Sequence, residues 1–427
     1  MASQRCQFEI TETVPYGEYG WIPYDRHRGT FGGALPSGEP FDAEIEIVAP
    51  KDPWAGEPCV VVEALHPNGT PVGRDSFLLP GFLFGRRFRH AWIRDQRPEA
   101  LAAFVRCLRG APPAPLGPPA PLGKVSRFYG TGASASGAVL MRLLLAEFGQ
   151  GVFDFSMPCT SGVPGFPRAE AGRVIRFDSE ADVVSLLQRT EGEAAAELRA
   201  ALEAIGAERP GRPWRQHFRW CQAAAGPHIP DTPATGMSPL PGGCRPFGTT
   251  PVDWTGFVRA LFAAGDRWVR HGVKPPRSRI LRGAYRGELE RDGNGHAIGG
   301  LRVPILDLGD RAFPEAAFCA LPSLCGLEDR CFGLLGAYRD VRRFGDANFY
   351  ADADSYLAAF RLNTRRLVEG GYLLRGGARA WEVRAEQAAR RGLTYTGDYA
   401  DSRPRSTEAA AAASGAGDWA AASPGRP

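Results

Sequence analysis

The stretch KVSRFYGTGASASGAVLMRLLLAEFG, residues 124–149, joins an apolar run, a cluster of small residues and an amphipathic segment. This order predicts a strand that turns sharply into a helix, because small residues allow the two backbones to approach each other closely. Two serines, Ser134 and Ser136, lie within the turn. Such a turn either lets the helix pack tightly on the strand or presents a serine as a nucleophile.

The pentapeptide GASAS, residues 132–136, fits the G-x-S-x-G pattern of a nucleophile elbow, with serine in place of the last glycine. The residues two before and two after the nucleophile must be small there, since strand and helix pass within contact distance. Ser134 meets this condition, with Gly132 and Ser136 as its neighbours, and is the favoured nucleophile. Ser136 is the competing candidate, but its corresponding neighbours are Ser134 and Ala138, and neither is glycine.

Backbone amides are expected to complete such a site as oxyanion donors. Ala135 begins the helix after Ser134, where amide groups have no intrahelical partner and the helix dipole is positive. A second donor is expected near Leu65 or His66, in the segment EALHPNG at residues 63–69.

Three carboxylates follow the predicted strand RVIRF, residues 173–177. A carboxylate at the end of that strand can orient a catalytic histidine and stabilise its imidazolium form. Asp182, directly before VVSL, is the favoured acid, Glu180 is a serious rival, and Asp178 is a weaker one. The alternative is that these residues are the N-cap and first-turn acids of the next helix.

The favoured general base is His228, in the segment AAAGPHIPD at residues 223–231. It follows an apolar strand and lies in a loop that begins with glycine and proline, so it can reach the nucleophile. The alternative for a single loop histidine is a solvated or capping residue.

The order of these candidates along the chain indicates a fold. In α/β-hydrolases the nucleophile comes first, an acid follows a later strand, and a histidine follows the last core strand. Short apolar strands, among them VFDF at residues 152–155, alternate here with helical patterns, which is typical of a mostly parallel sheet. The predicted fold class is α/β, an α/β-hydrolase fold with a β-rich N-terminal region and a helical C-terminal extension.

Composition shifts divide the chain into five predicted segments. They are a β-rich region that joins the sheet (1–110), a proline-rich connector (111–123), the catalytic core (124–250), a helical and strand extension that packs on the core (251–401), and a disordered tail (402–427).

The overall composition excludes several classes of protein. A net charge of +4 without any block of like charges argues against nucleic acid as a partner. No long apolar span or leader pattern is present, which indicates a cytoplasmic protein without a membrane partner. The nine cysteines form no CxxC pair and no metal-binding spacing, so no metal site is expected and reduced, mostly buried thiols are predicted. The sequence predicts no oligomeric state.

Several motifs together resemble a bacterial α/β-hydrolase-domain family whose serine signature reads G-x-S-Q-S-G before a helix. The matching runs, in order, are YGTGASASGAVLMRLLL, VIRFDSEADV, FRWCQAAAGPHIPD, PVDWTGFVRALFAAGDRWVRHGVKPPRSRI, DGNGHAIGGLRVPILDL and SYLAAFRLNTRRLVEGGYLL. The resemblance extends from about Val125 to Leu374. The chain departs from the family pattern at three positions, Ala135 for Gln, Ala138 for Arg, and Gln222 for an acidic residue.

The resemblance implies a serine hydrolase that acts on a small-molecule ester through an acyl-enzyme. Ser134 would attack, His228 would transfer the proton, and Asp182 or Glu180 would orient the imidazole. This chemistry requires no metal or organic cofactor. Two alternatives stay open: a non-catalytic scaffold that binds a ligand or partner, and an acyltransferase with the same residues.

Overall fold

The structure is a computed structural model that describes residues 7–35, 37–110, 122–123, 125–207, 216–226, 228, 253–292, 296–307, 316–318, 338–340 and 353–390. The predicted connector at 111–123 lies almost wholly outside the described residues, and the predicted tail at 402–427 lies wholly outside them.

A nine-stranded sheet forms the centre of the described chain, in the order β1-β2-β3-β5-β4-β6-β7-β8-β9. The strands are β1 (Gln7–Tyr19), β2 (Ile22–Ala34), β3 (Pro40–Pro50), β4 (Cys59–Ala64), β5 (Arg89–Ile93), β6 (Arg127–Ala133), β7 (Phe155–Cys159), β8 (Arg173–Ser179) and β9 (Phe218–Ala223). All neighbours from β5 to β9 are parallel, and β1, β2 and β3 add to one side in antiparallel fashion. The predicted α/β fold with a mostly parallel sheet and a β-rich N-terminal region is confirmed.

The helices are α1 (Pro80–Gly85), α2 (Pro98–Gly110), α3 (Ala135–Leu145), α4 (Glu180–Arg189), α5 (Gly192–Gly206), α6 (Thr255–His271), α7 (Pro304–Asp307), α8 (Ala353–Glu369) and α9 (Arg375–Arg390). A single π-helical turn, Gly73–Leu78, lies between β4 and α1. A separate pair of short antiparallel strands is formed by β10 (Ala316–Phe318) and β11 (Tyr338–Asp340). No helix within the described ranges is long and apolar enough to cross a bilayer.

The central strands are buried on both faces, as parallel strands between helices must be. Every residue of β4 is buried, in accord with its apolar run CVVVEA. On β6, the ring of Tyr129 packs beside Phe262 of α6, whereas Gly130 adjoins Leu140 of α3. Since successive strand residues point to opposite faces, α6 and α3 cover opposite sides of the sheet.

One strand boundary and one whole strand differ from the sequence prediction. The predicted strand VFDF overlaps β7 only at Phe155, and just before the strand the carboxylate of Asp154 accepts the N–H of Phe128 at 2.8 Å. The strand then continues through Pro158 to Cys159, although proline has no N–H to donate to the ladder. Strand β2, with the sequence IPYDRHRGTFGGA, was not predicted, because charged and glycine residues interrupt its alternation.

The cysteine prediction is correct for three of the four described thiols and wrong for the other. Cys59, Cys159 and Cys221 are free and buried. Cys107 on α2 is disulfide-bonded. The spacing of cysteines in the sequence gave no signal for that bond, because pairing depends on proximity in the fold.

Helix α6 lies unusually close to β7. A Cβ atom on Gly265 would lie 2.1 Å from the ring of Phe155, which is itself fully buried between Tyr129 and Phe262. The ring has no room to move, so only glycine allows the helix to pack at this distance.

We therefore expect Gly265→Ala to lower the free energy of unfolding by about 1–3 kcal/mol through overpacking, measured by urea denaturation. Gly376→Ala on α9 is the matched control, because nothing lies within 4 Å of its added Cβ. That variant should be neutral or more stable by up to about 1 kcal/mol, through helix propensity alone. Equal effects of the two substitutions would contradict the close packing.

Candidate active site

Ser134 occupies a strained turn between β6 and α3. Its φ of 55° and ψ of −123° place a residue with a side chain in a region that favours glycine. Such a conformation costs of order 1–3 kcal/mol and persists only where the surroundings enforce it. Here the N–H of Ser134 donates to the carbonyl of Cys159 at 3.2 Å and to Oγ1 of Thr160 at 3.1 Å. The end of β7 therefore holds the turn in place.

The small residues around Ser134 are required by close backbone contact. A Cβ on Gly132 would lie 2.7 Å from the carbonyl oxygen of Ser136, and a Cβ on Gly137 would lie 2.4 Å from that of Cys159. Ser136 is fully buried, and its Oγ both accepts from the N–H of Ala133 at 3.0 Å and donates to its carbonyl at 2.9 Å. The competing serine is thus part of the turn's internal hydrogen bonding, whereas Ser134 is half-buried.

The structure brings three of the sequence candidates into one hydrogen-bonded row. Nε2 of His228 lies 2.9 Å from Oγ of Ser134, and Nδ1 of the same ring lies 2.6 Å from Oδ1 of Asp182. With Nδ1 protonated toward the carboxylate, Nε2 is free to accept the serine proton. The arrangement is that of a nucleophile, a base and an acid that orients the base.

Asp182 also belongs to the capping box of α4. Its Oδ2 accepts the N–H of Ser179 at 3.2 Å and the hydroxyl of Ser179 at 2.5 Å, while its own N–H donates to Oγ of Ser179 at 3.3 Å. The two interpretations of this residue in the sequence are therefore both satisfied by one side chain. One oxygen fixes the helix start, and the other faces His228.

The electrostatic surroundings of His228 raise the pKa of its imidazole. Burial by itself lowers the pKa of the imidazole, but the charge and hydrogen bond of Asp182, with a smaller contribution from Asp178, outweigh it and raise the pKa above 6.5. An opposite charge within hydrogen-bonding distance stabilises the imidazolium in this way. The ring is thereby prepared to hold a proton taken from Ser134.

Glu180, the rival acid, does not contact His228. Its Oε2 accepts the N–H of Ala225 at 2.6 Å, and its Oε1 accepts Nη1 of Arg291 at 2.8 Å. Glu180 therefore contacts the segment that leads into His228, and not the imidazole itself.

Asp178, the weaker candidate, forms hydrogen bonds with Arg176 and Trp220. Its Oδ2 accepts from Nε of Arg176 at 2.6 Å and from the indole N–H of Trp220 at 2.8 Å. Burial raises the pKa of this carboxyl, against the influence of Arg176. Asp178 acts on His228 only through its charge.

The two expected oxyanion donors, the N–H groups of Ala135 and Leu65, have different hydrogen-bonding environments in the structure. Ala135 is the first residue of α3, so its N–H has no carbonyl four residues earlier within the helix. The N–H of Leu65 donates to the carbonyl of Ile93 at 2.8 Å, because the pairing of β4 with β5 continues one residue further. The prediction for Leu65 is therefore wrong, and His66 likewise uses its N–H, which donates to the carbonyl of Thr70 at 3.1 Å.

The segment after β4 is anchored by a buried carboxylate that the sequence analysis did not single out. Glu63 accepts the backbone N–H groups of Gly73 and Arg74 at 2.8 and 3.1 Å and contacts Nε2 of His90 at 2.9 Å. Burial raises the pKa of Glu63 to about 7 and lowers that of His90 to about 3. A glutamate next to the end of an apolar strand was the available signal, since such a residue needs several partners to be buried.

His66, on the same segment, lies near the row of catalytic candidates. Burial lowers its pKa, and the charge of His228 lowers it further. Among the described residues, no group of three or more His, Cys, Asp or Glu side chains is arranged to hold a metal ion.

Removal of the Asp182 charge should lower the pKa of His228. We expect Asp182→Asn to bring it below 6.5, because burial then acts almost alone. If neutral His228 is the base, the rise of kcat/KM with pH should move to lower pH, and kcat should fall on the order of 10³–10⁴-fold. Histidine NMR titration and pH–rate profiles measure both effects.

Asp154→Asn is the control, since that carboxylate binds Arg109 and the N–H of Phe128, away from the imidazole. An unchanged His228 titration in Asp182→Asn would contradict the assigned contact.

Comparisons with solved structures find partial similarity to known esterases. The structures similar to parts of this chain include the rice cell wall degrading esterase LipA from Xanthomonas oryzae, at 14% identity over 36% of this chain and 49% of that chain, with a TM-score of 0.25. A CE15 glucuronoyl esterase from Teredinibacter turnerae matches at 13% identity over 54% of this chain and 76% of that chain, with a TM-score of 0.30. The match with LipA thus spans about half of that protein's length.

No curated protein matches the sequence. The family model described as alpha/beta hydrolase domain matches residues 99–382, about two thirds of the chain, and this range includes the strained serine turn, Asp182 and His228. The chain therefore belongs to the alpha/beta hydrolase domain family.

Proposed function

We propose that this protein is a serine hydrolase that cleaves a small-molecule carboxylic ester through an acyl-enzyme on Ser134. The observation that carries the proposal is the row from Ser134 Oγ to His228 Nε2 at 2.9 Å and from His228 Nδ1 to Asp182 Oδ1 at 2.6 Å. A strained turn that costs stability supports the same role, because such a turn exposes the hydroxyl.

In the first step, Oγ of Ser134 attacks the carbonyl carbon of the ester while Nε2 of His228 takes the hydroxyl proton. The resulting imidazolium is stabilised by Asp182, which stays ionised. The negative charge on the former carbonyl oxygen is stabilised by the N–H of Ala135, aided by the positive end of the α3 dipole. His228 then gives its proton to the alkoxide that leaves, and an acyl-serine remains.

In the second step, His228 activates a water molecule that attacks the acyl-serine. The imidazole takes one proton from the water, and the tetrahedral intermediate collapses to the free acid as the proton returns to Oγ of Ser134. The overall reaction consumes one ester and one water and yields one acid and one alcohol.

The C-terminal extension is proposed to support the segment before His228 through the side chain of Trp254. Trp254, at the N-cap of α6, is fully buried, and a Cβ on Gly226 would lie 3.0 Å from its indole Cδ1.

The test is labelling with a fluorophosphonate probe, with short p-nitrophenyl esters assayed in parallel. We expect wild type to be labelled and to release p-nitrophenol, and Ser134→Ala to lose labelling and to lose on the order of 10⁴–10⁶-fold in kcat. Ser136→Ala is the matched control. It should keep its labelling but lose about 1–3 kcal/mol of stability, since the buried N–H of Ala133 loses its partner.

Other outcomes identify the alternatives. A folded wild type that the probe does not label would favour a non-catalytic scaffold that binds a ligand or partner. Labelling at Ser134, with an ester or amide formed from an added alcohol or amine in place of the free acid, would favour an acyltransferase. Labelling of Ser134→Ala at the wild-type rate would contradict the proposed nucleophile.

A further inference from the structure

We propose that Glu180 is a positioning residue whose buried carboxylate fixes the chain segment leading into His228. The inference rests on the proposed serine hydrolase function and deepens it, because it names a group that acts on the base without touching it.

Both carboxylate oxygens of Glu180 are engaged, and the side chain has no solvent exposure. Oε2 accepts the N–H of Ala225 at 2.6 Å, three residues before His228, and Oε1 accepts Nη1 of Arg291 at 2.8 Å. Charge-assisted hydrogen bonds of this length are stronger than neutral ones. The carboxylate therefore joins the end of β9 to a residue of the C-terminal extension.

Ala225 needs this partner because the chain leaves the sheet there in a strained conformation. Its φ is +52°, in the left-handed region that favours glycine. The preceding amide, that of Ala224, still donates to the carbonyl of Leu301 at 2.9 Å, as part of the ladder beside β9. The buried N–H of Ala225 donates to Glu180 instead, and without that carboxylate an unpaired donor would add to the strain.

A second contact holds the same segment from the same helix turn. The N–H of Ala181 donates to the carbonyl of Gly226 at 3.2 Å. The first turn of α4 thus binds Ala225 through Glu180, Gly226 through its backbone, and His228 through Asp182. The base and the acid that orients it are fixed to one another through a single rigid element.

The contacts explain why a carboxylate is required at this position. Each oxygen accepts from a donor, so glutamine would direct its NH₂ group at either the N–H of Ala225 or the guanidinium of Arg291. Arg291 itself is held in a β-bridge with Ala297, on the segment whose residues Arg279 and Leu301 pair with β9. The extension thereby contributes to the position of His228.

Loss of this anchor should reduce catalysis more than substrate binding. A displacement of about 1 Å at a reacting group can cost on the order of 10²-fold in rate. We expect Glu180→Gln to lower kcat by about 10–100-fold and to leave KM within about 2-fold, because no substrate contact is lost.

The experiment compares wild type, Glu180→Gln, Arg291→Met and the double variant Glu180→Met/Arg291→Met, with Asp266→Asn as a matched control. Asp266 is a similarly buried carboxylate that accepts the hydroxyl of Tyr129 at 2.8 Å and pairs with Arg270 at 3.6 Å. It contacts β6 at Tyr129, which lies five residues or roughly 16 Å along the strand from Ser134. The readouts are kcat and KM on p-nitrophenyl butyrate, the rate of fluorophosphonate labelling, the urea midpoint and the NMR titration of His228.

The double variant separates position from stability. Replacement of the buried carboxylate and of its partly exposed partner by apolar side chains should return the urea midpoint toward that of wild type, since such an ion pair adds little net stability. Its kcat should stay low, because Ala225 has still lost its carboxylate partner. In Glu180→Gln and in the double variant the pKa of His228 should fall as the ring leaves Asp182. Asp266→Asn should lose stability but keep its kcat and its His228 titration.

Wild-type kcat and an unchanged His228 titration in folded Glu180→Gln would overturn the inference. A loss of kcat in Asp266→Asn as large as that in Glu180→Gln would overturn it also, since general destabilisation would then explain both. If Glu180→Gln does not fold, the kcat and the His228 titration of the double variant test the inference by the same criteria. Failure of the proposed function is distinct, because wild type would then resist the probe, and the His228 titration would still test the anchor.

Discussion

The left-handed backbone at Ser134 is the constraint on which the rest of the site depends. A residue with a side chain reaches φ = 55° only when its neighbours impose it. Here the carbonyl of Cys159 and the hydroxyl of Thr160 hold the amide of Ser134 from β7, and Gly132 and Gly137 let the two backbones meet. The parallel pairing of β6 with β7 therefore sets the position of the nucleophile, and the strain is balanced by the packing of the central sheet.

Two flanking segments are fixed to this centre by buried carboxylates that accept backbone amides. Glu63 holds the segment after β4 through Gly73 and Arg74, and Glu180 holds the segment after β9 through Ala225. Loops that follow parallel strands have few ladder partners, so a fully buried side chain with two acceptors serves in their place. For Glu63, burial raises the pKa of the carboxyl to about 7.

The sequence predicted the parts of the site that depend on local pattern and chain order. Small residues around Ser134 indicated the turn, and the order of Ser134, Asp182 and His228 matched the contacts that the structure places together. It did not separate Asp182 from Glu180. Glu180 and Asp182 lie two positions apart on a helix, so their side chains point in directions that differ by about 200°. Which of them faces the histidine depends on how α4 packs on β8.

Features that depend on pairing between distant segments were outside the reach of sequence patterns. Leu65 was expected to supply an oxyanion donor, yet its amide continues the ladder to Ile93, and only the length of β5 decides this. The role of Glu180 depends in the same way on Arg291, 111 residues further along the chain. The structure of the first turn of α4 thus depends both on its local sequence and on contacts with distant segments. Its capping box follows from the sequence, whereas its contacts with the histidine segment follow from the sheet order that brings β8 beside β9.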